Sequence, residues 1–438
     1  MTIETALVKF DRAFAPFPVE PPAPAPAAPV KPRGRALGRR FLVTAAASGA
    51  AVLGFAGVTQ ATGVHAAALP IAGTDGVRRM PTLTQPELAG QMSYHSGADA
   101  RQAPAEPVPE MASTPAPSAA ELRDWSVFRS RFVQADGRVV DTYNNDVSHT
   151  ESQGLGMLFA VAFDDRETFD RIWGWTSAHL RRPSDALFAW RYVPGQINPV
   201  ADTNNATDGD IYIAAALARA AGRWRQPAHL KAAQAISRDI LGLLVRNVGG
   251  RTVLLPGANG FVTADHVVVN ASYYVFPLIA DLQRAYPSPT WARLARDGRQ
   301  MIAEAQFGRW RLPPDWLQVS TTTGALSLAD RQPPRFSFDA VRVPLFLAWD
   351  RSSPDALGRF AAFWGREPAN APAWVDLRTD AGAPYKPCGG VIAIATLVDS
   401  TFGQAGAVPA ISARDDYYSA ALILLSRMAL RETGLLRA

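Results

Sequence analysis

Three short polar stretches hold the residues of this chain best suited to chemistry, and all three carry carboxylates. In HTESQGLGM, residues 149–157, Glu151 stands just before a helical pattern expected to start near Gln153. Gly154 and Gly156 beside it would let another backbone or a ligand come close. In NATDGDIYIAAALARAAGRW, residues 205–224, Asp208 and Asp210 head an Ala-rich apolar run. In FSFDAVRVPLFLAW, residues 336–349, Asp339 and Arg342 are one helical turn apart. Each stretch also has a structural use. Thr150 with Gln153 reads as a capping box, and a glutamate at a helix start is favoured by the backbone dipoles. Thr207 or Asp208 reads as an N-cap, and Asp339 with Arg342 as an ion pair on one helix face. Two carboxylates at 208 and 210 exceed what one cap needs, so the surplus acid either pairs with an arginine or faces a ligand.

The elements that must position these residues are helices. From about Ser118 apolar residues recur at helical spacing, which predicts helices over 119–134, 153–164, 166–181, 208–223, 226–246, 270–285, 288–305, 339–349, 353–365, 388–400 and 413–431. Most are joined by short Pro, Gly or Asp loops, as in stacked helical hairpins. No fixed-length repeat is present, which favours a closed helical barrel over an open solenoid. The β-prone pieces 251–255 and 261–263 fit hairpins inserted on one rim. The three polar stretches fall at helix beginnings, where loops would converge on that rim.

The first third of the chain is different material. Residues 1–30 are Pro- and Ala-rich and read as disordered. Lys31, Arg33, Arg35, Arg39 and Arg40 then precede an uncharged run from Phe41 that ends in Ala66–Ala68. That order of basic, apolar and small residues is an export signal over about 31–68, with a membrane anchor as the other reading. Arg39-Arg40-Phe-Leu approximates a twin-arginine signal without its usual intervening residue. The expected organisation is therefore 1–68 disordered basic region and export segment, 69–118 Pro/Ala-rich linker, and 119–438 folded helical domain, placing the mature protein outside the cytoplasm, secreted or periplasmic. A net charge of +5 with scattered arginines gives no basic face for nucleic acid. The single cysteine, Cys388, excludes an internal disulfide and reads as a small core residue. No Cys/His spacing suits a metal, and no cofactor is expected.

Taken together, the three stretches resemble family 8 of the glycoside hydrolases. Ala206, Thr207, Asp208, Gly209, Asp210, Ile213, Ala214, Ala216, Leu217, Ala220 and Trp224 fall where that family's signature expects them, with Ala218 a small departure. HTESQGLGM is similar to the family's acid motif, with Ser152 for Gly and Leu155 for Tyr. FSFDAVRVPL is similar to its base motif, with Phe338 for Tyr, and NASYYVFP at 270–277 to its N-P-S-Y, with Ala271 for Pro. GRVVD at 137–141, LLPGANGF at 254–261 and PDWL at 314–317 resemble the endoglucanases that accompany bacterial cellulose synthesis.

The resemblance implies an all-α fold, an (α/α)6 barrel of paired helices, and hydrolysis of internal β-1,4-glucan bonds with inversion. It makes Glu151 the general acid and Asp339 the general base. Asp208 would hold the sugar next to the cleavage point in a distorted ring, and Tyr273 would help position the water. Arg342 would keep a carboxylate ionised, Trp190 would offer an indole face to a glucose ring, and Gln153 and Asp210 would join the substrate-binding set. Two carboxyls and water suffice for this chemistry without a metal. The partner is a β-1,4-glucan chain acted on by a monomer, with a functional association with a cellulose synthase complex; xylan, chitosan and mixed-linkage β-glucan are alternative substrates. A non-catalytic polysaccharide-binding protein would have lost Glu151 or Asp339. A terpenoid-cyclising barrel would need a D-x-D-D or D-D-x-x-D motif; Asp415-Asp416 before Tyr417-Tyr418 reads instead as a helix start.

Overall fold

Helices that are apolar on every side must be buried on every side, whereas helices with one apolar stripe can face water. Both kinds occur here, and they alternate along the chain up to its last two helices, which are both buried. The computed structural model describes residues 115–352, 354–404 and 406–435. Among these residues there are eleven α-helices: α1 (Ala119–Phe132), α2 (Thr150–Ala162), α3 (Arg166–His179), α4 (Thr207–Trp224), α5 (Pro227–Leu243), α6 (Phe276–Ala285), α7 (Pro289–Glu304), α8 (Arg342–Trp349), α9 (Pro354–Trp364), α10 (Gly389–Thr401) and α11 (Tyr417–Thr433). In α2, 12 of 13 residues are buried, and in α11, 15 of 17. In α1 and α3 only 5 of 14 are buried, on one stripe each.

The buried helices close into a ring. Helix α2 packs on α4, α4 on α6, α6 on α8, α8 on α10, α10 on α11, and α11 returns to α2. Outside it, α1 backs α11, α3 backs α2, α5 backs α4, α7 backs α6, and α9 backs α8 and α10. Six inner and five outer helices make the expected (α/α)6 barrel with one outer position unfilled by helix. There the described residues of 402–416 run irregularly, and Arg131 of α1 anchors them by donating to the carbonyls of Ser412 at 2.7 Å and Asp415 at 2.6 Å.

Connectivity gathers the irregular chain at one end. Passages from an inner helix outward are short, 163–165, 225–226 and 286–288, while those from an outer helix inward are long, 133–149, 180–206, 244–275, 305–341 and 365–388. Because inner and outer helices alternate in direction from α1 to α10, all the long passages lie on the same rim, at the N-termini of inner helices. All the named strands lie there too. β1 (Ser148–His149) pairs with β2 (Arg191–Tyr192), and β3 (Val245–Val248) with β4 (Arg251–Leu254). β5 (His266–Val269), β6 (Leu317–Ser320) and β7 (Leu326–Leu328) form an antiparallel sheet, and β8 (Arg335–Phe336) pairs with β9 (Val375–Asp376).

Several expectations need correction. The piece 251–255 is a hairpin strand, but 261–263 contributes only a bridge from Val262 to Val267. The helix expected from 270 starts at Phe276, because the Asn270 side chain closes a 3-10 turn over Ala271–Tyr273 first. Cys388 is half-buried at the N-cap of α10 rather than in the core. The export segment lies outside the described residues. No helix among the described residues is long and apolar enough to cross a membrane.

Candidate active site

Glu151 sits in the first turn of α2, not before it. The cap is His149, whose Nδ1 accepts from the Ser152 N–H at 3.0 Å while Ser152 Oγ accepts from the His149 N–H at 3.2 Å, so the expected Thr150/Gln153 box does not form. Asp208 sits in the first turn of α4, where Ala206 is the N-cap and no side chain caps, leaving its carboxylate free for another task. Asp339 lies in the turn before α8, and Arg342 is that helix's first residue.

Arg342 draws the three carboxylates together. Its Nη1 pairs with Glu151 Oε2 and lies 3.7 Å from Asp208 Oδ2. Its Nη2 pairs with Asp339 Oδ1 at 2.5 Å and donates to Ser272 Oγ at 3.1 Å. The guanidinium, Glu151 and Asp208 are each at most 5% exposed, and the Asp339 side chain is 14% exposed. One cation among three carboxylates cannot neutralise them all, so full ionisation is disfavoured. Burial, reinforced by the charge of Glu151, pushes Asp208 up to about 7 against the pull of Arg342. Burial also raises Asp339, with Arg342 opposing and Glu151 adding. Asp208 Oδ1 accepts from the Gly209 N–H at 2.8 Å, and Oδ2 accepts no hydrogen bond from a described residue. Tyr273 is buried, and its hydroxyl is held neutral by burial and then by the charges of Asp208 and Asp339.

Three expected site residues do something else. The Gln153 side chain is used up inside the wall: Oε1 accepts from the Val139 N–H at 2.6 Å, and Nε2 donates to Gly137 O and Thr176 Oγ1. Asp210 accepts from the Phe188 N–H at 3.0 Å and from Asn205 Nδ2 at 2.8 Å, tying the 180–206 passage to α4. Trp190 is 2% exposed in a small cluster with Phe261 and Trp316, so its indole is part of the wall and presents no open face.

Other residues join the site without having been singled out. Asp315, in the PDWL segment, accepts from the backbone N–H of Ser337 at 2.9 Å and of Ala340 at 2.7 Å, fixing the turn that carries Asp339. Burial, then the Asp339 charge, lifts Asp315 to about 7. Asp416 does cap α11, as expected, but the next two residues reach the site. The Tyr417 hydroxyl donates to Glu151 Oε1 at 3.4 Å, and the Tyr418 hydroxyl donates to the Phe338 carbonyl at 2.7 Å. No periodicity in the sequence marks a helix's first residues as facing a groove, so only the likeness of PDWL pointed at any of these.

The family model for glycosyl hydrolases family 8 matches residues 107–432, nearly the whole described chain. The chain belongs to that family. As a member it is a glycoside hydrolase. It is 45% identical over 322 residues to a probable endoglucanase of Novacetimonas hansenii, covering 73% of this chain and 93% of that one. It is 39% identical over 281 residues to an endoglucanase of Cellulomonas uda, covering 64% and 77%. Among solved structures, the endo-beta-1,4-glucanase CMCax from Acetobacter xylinum superposes with a TM-score of 0.69 at 44% identity, covering 72% of this chain and 99% of that one. The family's barrel therefore accounts for the ring of helices, and the cluster around Arg342 occupies its loop-rich rim.

Proposed function

We propose that this glycoside hydrolase is an endo-β-1,4-glucanase that cuts cellulose-type chains with inversion. The observation that carries the reading is the gathering of Glu151, Asp208 and Asp339 around one buried guanidinium at the rim where the long passages meet. Inverting hydrolysis needs a protonated carboxyl to give a proton to the leaving oxygen and an ionised one to take a proton from water. Glu151 gives the proton and Asp339 takes it. Arg342 favours the ionised form of Asp339, and burial brings its proton affinity closer to working pH, which suits a general base. Asp208, whose Oδ2 accepts no hydrogen bond from a described residue, holds the sugar next to the cleavage point, and Tyr273 helps place the water. The relatives named endoglucanases support the substrate class.

The protein acts outside the cytoplasm, exported by the segment 31–68, as a monomer, and in functional association with a cellulose synthase complex. The likeness of GRVVD, LLPGANGF and PDWL supports that last role. Reducing-sugar release and viscosity loss on carboxymethylcellulose, xylan and chitosan test the substrate. A fast viscosity drop on carboxymethylcellulose is expected, and preference for xylan or chitosan would replace the glucan reading.

A further inference from the structure

Strands β5 and β6 wall a cavity on the rim, and none of the residues lining it belongs to the carboxylate cluster. Its volume is about 150 Å³, and Phe261, His266, Gln318, Asp330 and Gln332 line it. An apolar cavity of about this size takes up a benzene ring, so the space suits one six-membered ring. These walls are not apolar. Gln318 Nε2 donates to Asp330 Oδ2 at 3.3 Å and faces His266 Nε2 at 3.2 Å, while Gln318 Oε1 accepts from Ser327 Oγ. His266 Nδ1 lies 2.9 Å from Asp265 Oδ1, which assigns its proton there and leaves Nε2 as the acceptor. The network thus fixes the side chains of one wall. Gln332 is 6% exposed, and neither its amide nitrogen nor its oxygen has a hydrogen-bond partner among the described residues. A buried amide left in that state is unfavourable, and a ligand carrying both donors and acceptors relieves it. Phe261, stacked on Trp316 with ring centres 6.1 Å apart, adds an aromatic side to the same space. Carbon-faced, hydroxyl-edged and uncharged, a pyranose ring meets all of these demands.

Position decides which pyranose. β5 begins at His266 and runs directly into Asn270 and Tyr273 beside the catalytic cluster. Four residues of strand separate His266 from Asn270, roughly 13 Å. The end of the cavity lined by His266 is therefore set away from the catalytic cluster along the same rim, while Val268 lines it nearer to Asn270. We propose that it is an outlying subsite for one glucosyl unit of a long chain, with Gln332, Gln318 and His266 as the residues that recognise it. This rests on the β-1,4-glucan reading above.

The test is the ratio of kcat/KM on cellohexaose to that on cellotetraose, measured for the wild type, Gln332→Ala and His266→Ala. A ratio is insensitive to the fraction of folded enzyme, and His266, with a side chain 24% exposed, is a mild substitution should Gln332→Ala fold poorly. The ratio should fall about tenfold in each variant, the value of one or two lost hydrogen bonds, through KM rather than kcat. Variants that keep the wild-type ratio overturn the subsite while leaving the glucanase reading intact. A wild type inactive on both oligosaccharides overturns the glucanase reading and the subsite with it.

Discussion

At the scale of single residues, the cluster around Arg342 makes two claims that can be separated. Glu151→Gln and Asp339→Asn each keep shape and most hydrogen bonding while removing one proton transfer, so turnover should fall by at least roughly 10²- to 10⁴-fold with the fold retained. Proton NMR during cellopentaose hydrolysis should show the α-anomer first. A leading β-anomer, or full activity in Asp339→Asn, removes Asp339 from the role of base. The other claim concerns Asp210, which burial lifts from an ordinary 3.8 to about 8. Between those values the unfolded chain gives up its proton first, so this group's contribution is full below about pH 4 and is lost as pH rises towards 8. Melting temperature followed across that window should decline more steeply in the wild type than in Asp210→Asn. Parallel curves would show that Asp210 does not titrate there.

At the scale of elements, the site depends on how closely α2 and α4 cross. A Cβ on Gly154 would stand 2.5 Å from the Cβ of Tyr212, and one on Gly209 would stand 2.1 Å from Thr150 Oγ1. These contacts are between helix bodies, which cannot swing aside as a side-chain tip can. Gly154→Ala should therefore cost about 1–3 kcal/mol through overpacking. It should also lower turnover, since Glu151 and Asp208 ride on the first turns of the two helices that would be pushed apart. Differential scanning calorimetry alongside kcat checks both; an unchanged melting temperature would mean the crossing has slack that the geometry does not show. The two helices at this crossing were legible in the sequence from their apolar runs, and so was the need for small residues at 154. Their boundaries were less legible. The caps expected at Thr150 and at Thr207 or Asp208 gave way to His149 and Ala206, because the long passages deliver the chain to each helix along a path that local propensity does not encode.

At the scale of the whole molecule, the described barrel begins after a segment of contrasting composition, and the export reading of that segment is independent of the catalytic one. N-terminal sequencing of the protein recovered from periplasm or medium should find a start near Ala66–Ala68. An intact Met1 in a cytoplasmic fraction would remove the export reading and leave the glucanase reading untouched. The barrel itself makes a further demand on the whole chain: its ring closes only when α11 returns to α2, so the C-terminal helix completes the wall behind Glu151. Tyr417 on that helix reaches Glu151 across 266 positions of sequence.

What the sequence determined by itself was the number and kind of the helices, the family, and the candidate carboxylates whose roles the variants above test. Apolar spacing and short motifs are local properties, and each is complete within a few turns of chain. What only the tertiary structure decided was which of those polar residues meet. Arg342 lies 191 positions from Glu151, and nothing local ties either to Asp208. Gln153 and Asp210 stand in the same motifs as the cluster yet face backbone and side-chain partners in the wall, because a helix turning about 100° per residue sends residues two apart to opposite sides. Asp315, Tyr417 and Tyr418 enter for the converse reason: distant in sequence, they are brought to the site by the long rim passages and by the closure of the ring.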